Sequence, residues 1–185
     1  MDKRLTKLLT PYGAAGVAAT GSLLLLAGAH AFERFGKLAP CMLCLDQREA
    51  HWTALAAALI TLAIWRFFKA SRAVAASLGV TALIYAFSAV LAAYHAGVEW
   101  KFWPGPATCS GGAMINSPEE LFAQLESGAP MVSCSDAAWR FLGISMAGYN
   151  ALFSLALAGL TAWATVRMVR ALRDERFALT PSATR

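Results

Sequence analysis

Four stretches of this chain run without Asp, Glu, Lys or Arg for long enough to enter a lipid bilayer: roughly Tyr12 to Phe32, Ala50 to Trp65, Ala73 to Tyr94 and Phe141 to Val166. A helix of about 20 mostly apolar residues crosses a hydrocarbon layer of ~30 Å. A charge at the centre of such a helix costs about 2.5 to 3.5 kcal/mol, whereas each Leu gains only about half a kcal/mol. The missing charges are therefore the decisive part of the pattern. Composition agrees: of 185 residues, 58% are hydrophobic and 15% charged, where soluble domains average nearer half and a quarter. Residues 1–185 are expected to form a single all-α membrane domain, a four-transmembrane-helix bundle. The second stretch is the shortest, and its start is the least defined boundary.

Lys3, Arg4 and Lys7 ahead of the first stretch, with Ala29-His30-Ala31 at its end, imitate a secretory signal and its cleavage site. A run near 20 residues exceeds the usual 7 to 15 of a signal core, so the segment is expected to stay as an anchor. Orientation follows from Lys and Arg in the short flanks, which favour the cytoplasmic side. The amino-terminal segment, the turn with Arg66, Lys69 and Arg72, and the tail with Arg167, Arg170, Arg173, Arg176 and Arg185 are the basic flanks, so both termini belong inside. The opposite side, residues 33–49 and 95–140, has five basic residues against eight acidic ones. The net charge of +5 is thus a signature of membrane topology, and nothing in it calls for nucleic acid.

All four cysteines fall on the outward side: Cys41 and Cys44 where the first connector enters the second span, Cys109 and Cys134 in the long connector. That is the side on which disulfides persist. Pro40-Cys41-Met42-Leu43-Cys44 is a C-x-x-C at a helix start, since proline bars a helical turn before it and the apolar run follows. Unpaired backbone N–H groups and the helix dipole favour anionic sulfur in a first turn. A reference thiol, with a pKa near 8.5, is only about 3% thiolate at neutral pH, so Cys44 is expected to be unusually reactive. Cys41, Cys44 and Arg48 share one helical face at i, i+3 and i+7. Arg48 is expected to stabilise a thiolate or bind a carbonyl oxygen of a cofactor, against the simpler role of an interfacial arginine reaching for headgroups. Four cysteines also raise the question of zinc, but zinc sites usually pair two tight spacings and only one is present.

The long outward connector exceeds a mere turn. Ser117-Pro118-Glu119-Glu120 is a capping box with proline at the first helical position, and Leu121, Phe122 and Leu125 follow on one face. A short amphipathic helix is expected there, lying on the membrane surface with Trp100, Phe102, Trp103 and Trp139 at the interface. Cys109 and Cys134 flank it in Gly- and Ser-rich segments.

Taken in order, Pro40-Cys41-Met42-Leu43-Cys44 with Gln47-Arg48, His95 leading into Trp103-Pro104-Gly105-Pro106-Ala107-Thr108-Cys109, and Cys134 ahead of Trp139-Arg140-Phe141-Leu142-Gly143 resemble the DsbB family of disulfide-generating membrane proteins. The resemblance covers nearly the whole chain. It implies a multi-pass protein of the bacterial inner membrane with its cysteines in the periplasm, acting as a quinone-dependent thiol:disulfide oxidoreductase. By the same resemblance, Cys109 is attacked by a reduced DsbA-like thioredoxin-fold protein and Cys134 is its disulfide partner. Cys41 and Cys44 reduce ubiquinone or menaquinone, Cys44 being the sulfur nearest the quinone and Cys41 able to exchange with Cys134. Arg48 and His95 adjoin the quinone ring; the depth of His95 in its span also suits a hydrogen bond or proton donated to a quinone. One departure is Gln47, where some members place an acid before the arginine, which leaves the charge balance at Arg48 open.

Two alternatives make different demands. A vitamin K epoxide reductase-like protein also carries a C-x-x-C in a small helical bundle, but with the motif late in the chain, after the loop pair. A non-enzymatic membrane protein stapled by outward disulfides would have four inert cysteines.

Overall fold

The computed structural model of the chain describes residues 10–106, 109, 118, 122 and 133–178. Four long helices make the bundle: α1 (Pro11–Arg34), α2 (Met42–Ala63), α3 (Ser71–Glu99) and α4 (Met146–Ala178). Each is long and apolar enough to cross a membrane, so the protein is a multi-pass membrane protein. α1 opens on the Thr10 hydroxyl, which accepts from the Gly13 N–H at 3.1 Å, with Pro11 in the first turn. That position costs proline nothing, because its missing N–H would have had no helical partner. α2 runs on into a π-helical turn, Ile64–Phe68, and is stopped by Lys69 in the left-handed conformation (φ 50°).

Two helix starts differ from the uncharged stretches. α2 begins at Met42 instead of near Ala50, so Asp46, Arg48 and Glu49 lie in its first turns. Charges are tolerated there because the helix end reaches the interface, and Arg48 finds an acid on α1. α4 begins at Met146, not Phe141. Residues 141–145 belong instead to a small antiparallel hairpin, β1 (Arg140–Phe141) and β2 (Ile144–Ser145). Leu142 (φ 49°) and Gly143 (φ 80°) make its turn, and neither conformation continues a right-handed helix. Of the amphipathic surface helix expected from Ser117, only Pro118 and Phe122 are among the described residues, and both are helical.

The inside of the bundle is built from small side chains. Ala14, Ala15, Ala18, Ala54, Ala58, Ala92 and Ala164 are buried, while Leu24, Leu83, Phe87, Val90 and Leu155 are exposed. Lipid tails are as apolar as leucine, so helices in a bilayer gain by close backbone approach and interhelical hydrogen bonds. Both occur. α3 packs most extensively on α4, while α2 bridges α1 and α3; the seam between α1 and α4 is thinner. Hydroxyl pairs cross the interfaces at Thr61–Ser77 (2.8 Å) and Ser88–Ser154 (3.1 Å).

At the cysteine end, the chain leaving α3 folds back on it. The Trp103 indole N–H donates to the Tyr94 carbonyl at 3.0 Å, its ring stacks on Tyr94, and its edge lies over Gly97. A methyl group on Gly97 would collide with that ring. Gly97→Ala should therefore lower stability by about 1–3 kcal/mol, the usual cost of overpacking, and loosen the segment leading to Cys109. Thermal melting and the rate at which dithiothreitol reduces the Cys109–Cys134 bond would register this; no change in either would mean that Trp103 does not close over Gly97.

Candidate functional site

Cys41 is the N-cap of α2, in extended conformation, and its sulfur accepts from the Cys44 N–H at 3.3 Å. The sequence Pro40-Cys41 makes this natural, because the residue before or at a helix start supplies an acceptor for the unpaired N–H groups. The sulfurs of Cys41 and Cys44 are 2.7 Å apart and unbonded. Hydrogen bonding to Cys44, and then burial, push the Cys41 thiol well above its ordinary range. The two sulfurs are thus unequal: Cys41 is buried and holds its proton, whereas Cys44 is partly open.

Cys109 and Cys134 form a disulfide that closes 25 residues of separation. Both are buried, and they pack in one cluster with Cys41, Leu43 and Val98, with Cys44 alongside. The Cys41 sulfur, the Cys134 sulfur and a ring nitrogen of His95 all lie within 4.8 Å of one another. That spacing would also suit a metal ion, but the Cys134 sulfur is committed to its bond with Cys109 and carries no anionic charge to offer.

A cavity of about 430 Å³ opens beside the pair, bounded by Cys44, Gln47 and Arg48 of α2 and by His95 of α3. Leu24 and Phe32 of α1 and Phe153 of α4 supply apolar wall. A mostly apolar cavity with a few convergent polar groups is the usual form of a small-molecule site. Arg48 does not rest over Cys44 alone. Its guanidinium pairs with Glu33 at 2.5 Å and donates to the Ala29 carbonyl at 3.3 Å, both on α1. Charge balance at Arg48 comes from α1, with no need for an acid at position 47.

Gln47 has another task. Its amide N–H₂ lies 2.8 Å from His95 Nδ1 and donates to the Leu43 carbonyl at 3.1 Å, while its oxygen accepts from Asn150 Nδ2 at 2.6 Å. Asn150 Oδ1 is 2.7 Å from His51 Nε2, and the other His51 nitrogen is 3.2 Å from the Ser22 hydroxyl. His95 Nε2 in turn is 3.6 Å from the Cys41 sulfur. A buried polar line therefore runs from the thiol pair into the bundle. Glu99, one turn beyond His95, is buried 3.9 Å from His95 Nε2, accepts a hydrogen bond from the Ser145 hydroxyl, and accepts from Arg140 through its backbone carbonyl at 3.3 Å.

The structure thus brings Cys41, Cys44, His95 and Arg48 around one cavity, with the buried Cys134 sulfur within 4.8 Å of Cys41 and His95 and Cys109 joined to it through the disulfide. Sequence reasoning passed over Asn150 and Glu99 and, from depth alone, made His51 only a weaker candidate than His95 for contact with a quinone. An amide and an imidazole inside uncharged spans were the available signal for Asn150 and His51, since polar groups in a bilayer need partners. For Glu99 it was the i, i+4 spacing from His95.

A family model described as "Disulfide bond formation protein DsbB" matches residues 12–164. The chain is also similar to "Uncharacterized protein RP370" of Rickettsia prowazekii (strain Madrid E), at 30% identity over 145 residues, which is 76% of this chain and 80% of that protein.

Proposed function

The chain belongs to the disulfide bond formation protein DsbB family of membrane thiol oxidoreductases, and on that premise we propose that it reoxidises a periplasmic DsbA-like thioredoxin-fold protein and passes the electrons to ubiquinone or menaquinone. It would do so in the bacterial inner membrane, with both cysteine pairs on the periplasmic side and both termini in the cytoplasm. The observation that carries this reading is the placement of the Cys41 and Cys134 sulfurs within 4.8 Å of each other, beside a cavity that Cys44 lines.

Transfer then proceeds by four exchanges. A thiolate of the reduced partner attacks the Cys109 sulfur; a partner–Cys109 bond forms, and Cys134 leaves with the electron pair. With Cys41–Cys44 oxidised, the Cys134 thiolate attacks Cys41, and Cys44 leaves as a thiolate at the cavity. The partner's second thiolate attacks its own mixed disulfide, leaving oxidised and freeing Cys109, which then attacks Cys134 and expels Cys41. The outcome is a Cys109–Cys134 disulfide beside a reduced Cys41–Cys44 pair. A bound quinone supplies the acceptor for the two electrons and for the two protons the partner dithiol has lost. Arg48 would donate to one of its carbonyl oxygens, and Leu24, Phe32 and Phe153, which line the cavity, would exclude water around the ring. These residues fit such a guest. A strongly oxidising dithiol near −120 mV needs a high-potential acceptor of this kind, as glutathione-like couples lie about 60 mV or more below it.

Mixing the purified protein with a reduced DsbA-like protein and a soluble quinone should bleach quinone absorbance in step with partner oxidation, one for one. Partner oxidation without quinone loss, or neither, would refute the reading. Arg48→Ala should raise the KM for quinone roughly tenfold or more, the worth of a hydrogen bond from a charged donor, while partner–Cys109 exchange keeps its rate. Equal loss in both half-reactions would assign Arg48 to holding α1 on α2 through Glu33.

A further inference from the structure

The hydrogen bonds around Gln47 admit one arrangement of protons. The Leu43 carbonyl can only accept, so the Gln47 atom 3.1 Å from it is the N–H₂ group. Its second hydrogen points at His95 Nδ1, 2.8 Å away. Turning the amide over would set its oxygen against the Leu43 carbonyl and its nitrogen against the Asn150 N–H₂ that now donates to the Gln47 oxygen. With the Gln47 oxygen fixed in this way, Asn150 turns its N–H₂ to it and its own oxygen to the Ser154 hydroxyl at 3.3 Å and to His51 Nε2. His95 Nδ1 therefore accepts. The proton of a neutral imidazole is then on Nε2, the nitrogen 3.6 Å from the Cys41 sulfur. A nitrogen of the same ring lies within 4.8 Å of both the Cys41 and the Cys134 sulfurs, so that proton stands where the two sulfurs meet.

We propose that Gln47 and Asn150 are positioning residues that lock His95 in the Nε2–H tautomer, making it a fixed hydrogen-bond donor to the Cys41 sulfur during exchange with Cys134. The proposal rests on the exchange sequence given above. When the Cys109 thiolate attacks Cys134, the Cys109–Cys134 bond forms, the Cys41–Cys134 bond breaks, and the electron pair goes to Cys41. A buried sulfur must then carry a negative charge, and an N–H already aimed at it strengthens as that charge develops. An acid at position 47 would do the reverse: a carboxylate accepts from Nδ1–H and leaves Nε2 a bare lone pair facing sulfur.

The test uses the full chain in micelles with ¹⁵N-labelled histidine, the His95 signals being identified by their loss in His95→Asn. In the native protein the His95 Nε2 should be protonated and Nδ1 bare. Gln47→Glu should move the proton to Nδ1 and slow release of Cys41 from Cys134 about tenfold, the scale of a lost charge-assisted bond. Release is followed by acid quenching and peptide mass mapping after mixing with a reduced DsbA-like protein. Asn150→Ala, which frees the Gln47 amide to turn, should give a mixture of tautomers and a smaller loss, about threefold. Native His95 protonated on Nδ1 would overturn the proposal. So would slower exchange with the native tautomer kept in both variants, since that is what a purely structural role produces, or no change in tautomer and rate in either. If no Cys41–Cys134 bond forms even in the native protein, the exchange sequence itself fails, a result distinct from the tautomer measured by nitrogen shifts.

Discussion

Cys44→Ser should oxidise one equivalent of reduced partner per protein and then stop, with no quinone consumed. The variant keeps the Cys109–Cys134 disulfide, which lies outside the spans and can accept two electrons once. Those electrons have nowhere to go, because Cys41 can close a disulfide on the cavity side only with the sulfur now 2.7 Å away. A serine hydroxyl neither forms that bond nor ionises near neutral pH. Steady quinone reduction is expected to fall by at least about 10³-fold, the scale on which losing an essential nucleophile registers. Stopped-flow measurement of partner oxidation beside quinone absorbance would show the single burst. Continued turnover in Cys44→Ser would remove that residue from the path and return Arg48 to the role of an interfacial anchor.

Cys109→Ser should fail earlier. With no loop disulfide to attack, partner oxidation is expected to drop to background, again by about 10³-fold or more. The chemistry left behind is as informative as the loss. Cys134 becomes a free thiol whose sulfur lies within 4.8 Å of Cys41, so once Cys41–Cys44 is oxidised, Cys134 should attack Cys41 and accumulate as a Cys41–Cys134 bond. Peptide mass mapping of protein incubated with quinone would find that cross-link. Recovery of Cys41 and Cys44 joined only to each other would mean the two pairs do not communicate as the packing implies. Opening a loop of 25 residues also costs about 3 kcal/mol, so the comparison needs a melting curve to confirm that the bundle is intact.

What the sequence disclosed depended on how local the governing physics is. The four spans follow from missing charges, a property of neighbours along the chain, and all four helices are present. Their ends were harder to place. The absence of charge marks what lies in hydrocarbon, but α2 continues outward through Asp46, Arg48 and Glu49, and the acid that makes Arg48 tolerable is Glu33 on another helix. At α4 the error ran the other way: Phe141 to Ser145 are apolar enough to extend the span, yet the chain turns back on itself at Leu142 and Gly143. Cys41 at the helix start was readable because Pro40 precedes it. The approach of Cys41 to Cys134 was implied only by the family resemblance, and the line from His95 through Gln47 and Asn150 to His51 was not readable. Those contacts join residues 48, 99 and 103 positions apart, and nothing in the order of one chain says which faces of α2, α3 and α4 meet. Gln47 shows the difficulty most clearly. Beside Arg48 in sequence it looked like a missing acid, whereas in space it serves His95.

The thin seam between α1 and α4 bears on how the enzyme would be fed. On the proposed function, a guest entering between two loosely apposed helices would arrive sideways, out of the surrounding lipid, while the soluble partner would dock from above. The two reactants would then obey different measures of abundance: moles per litre for the partner, fraction of the bilayer for the oxidant. Diluting vesicles in buffer would slow the first encounter and leave the second untouched.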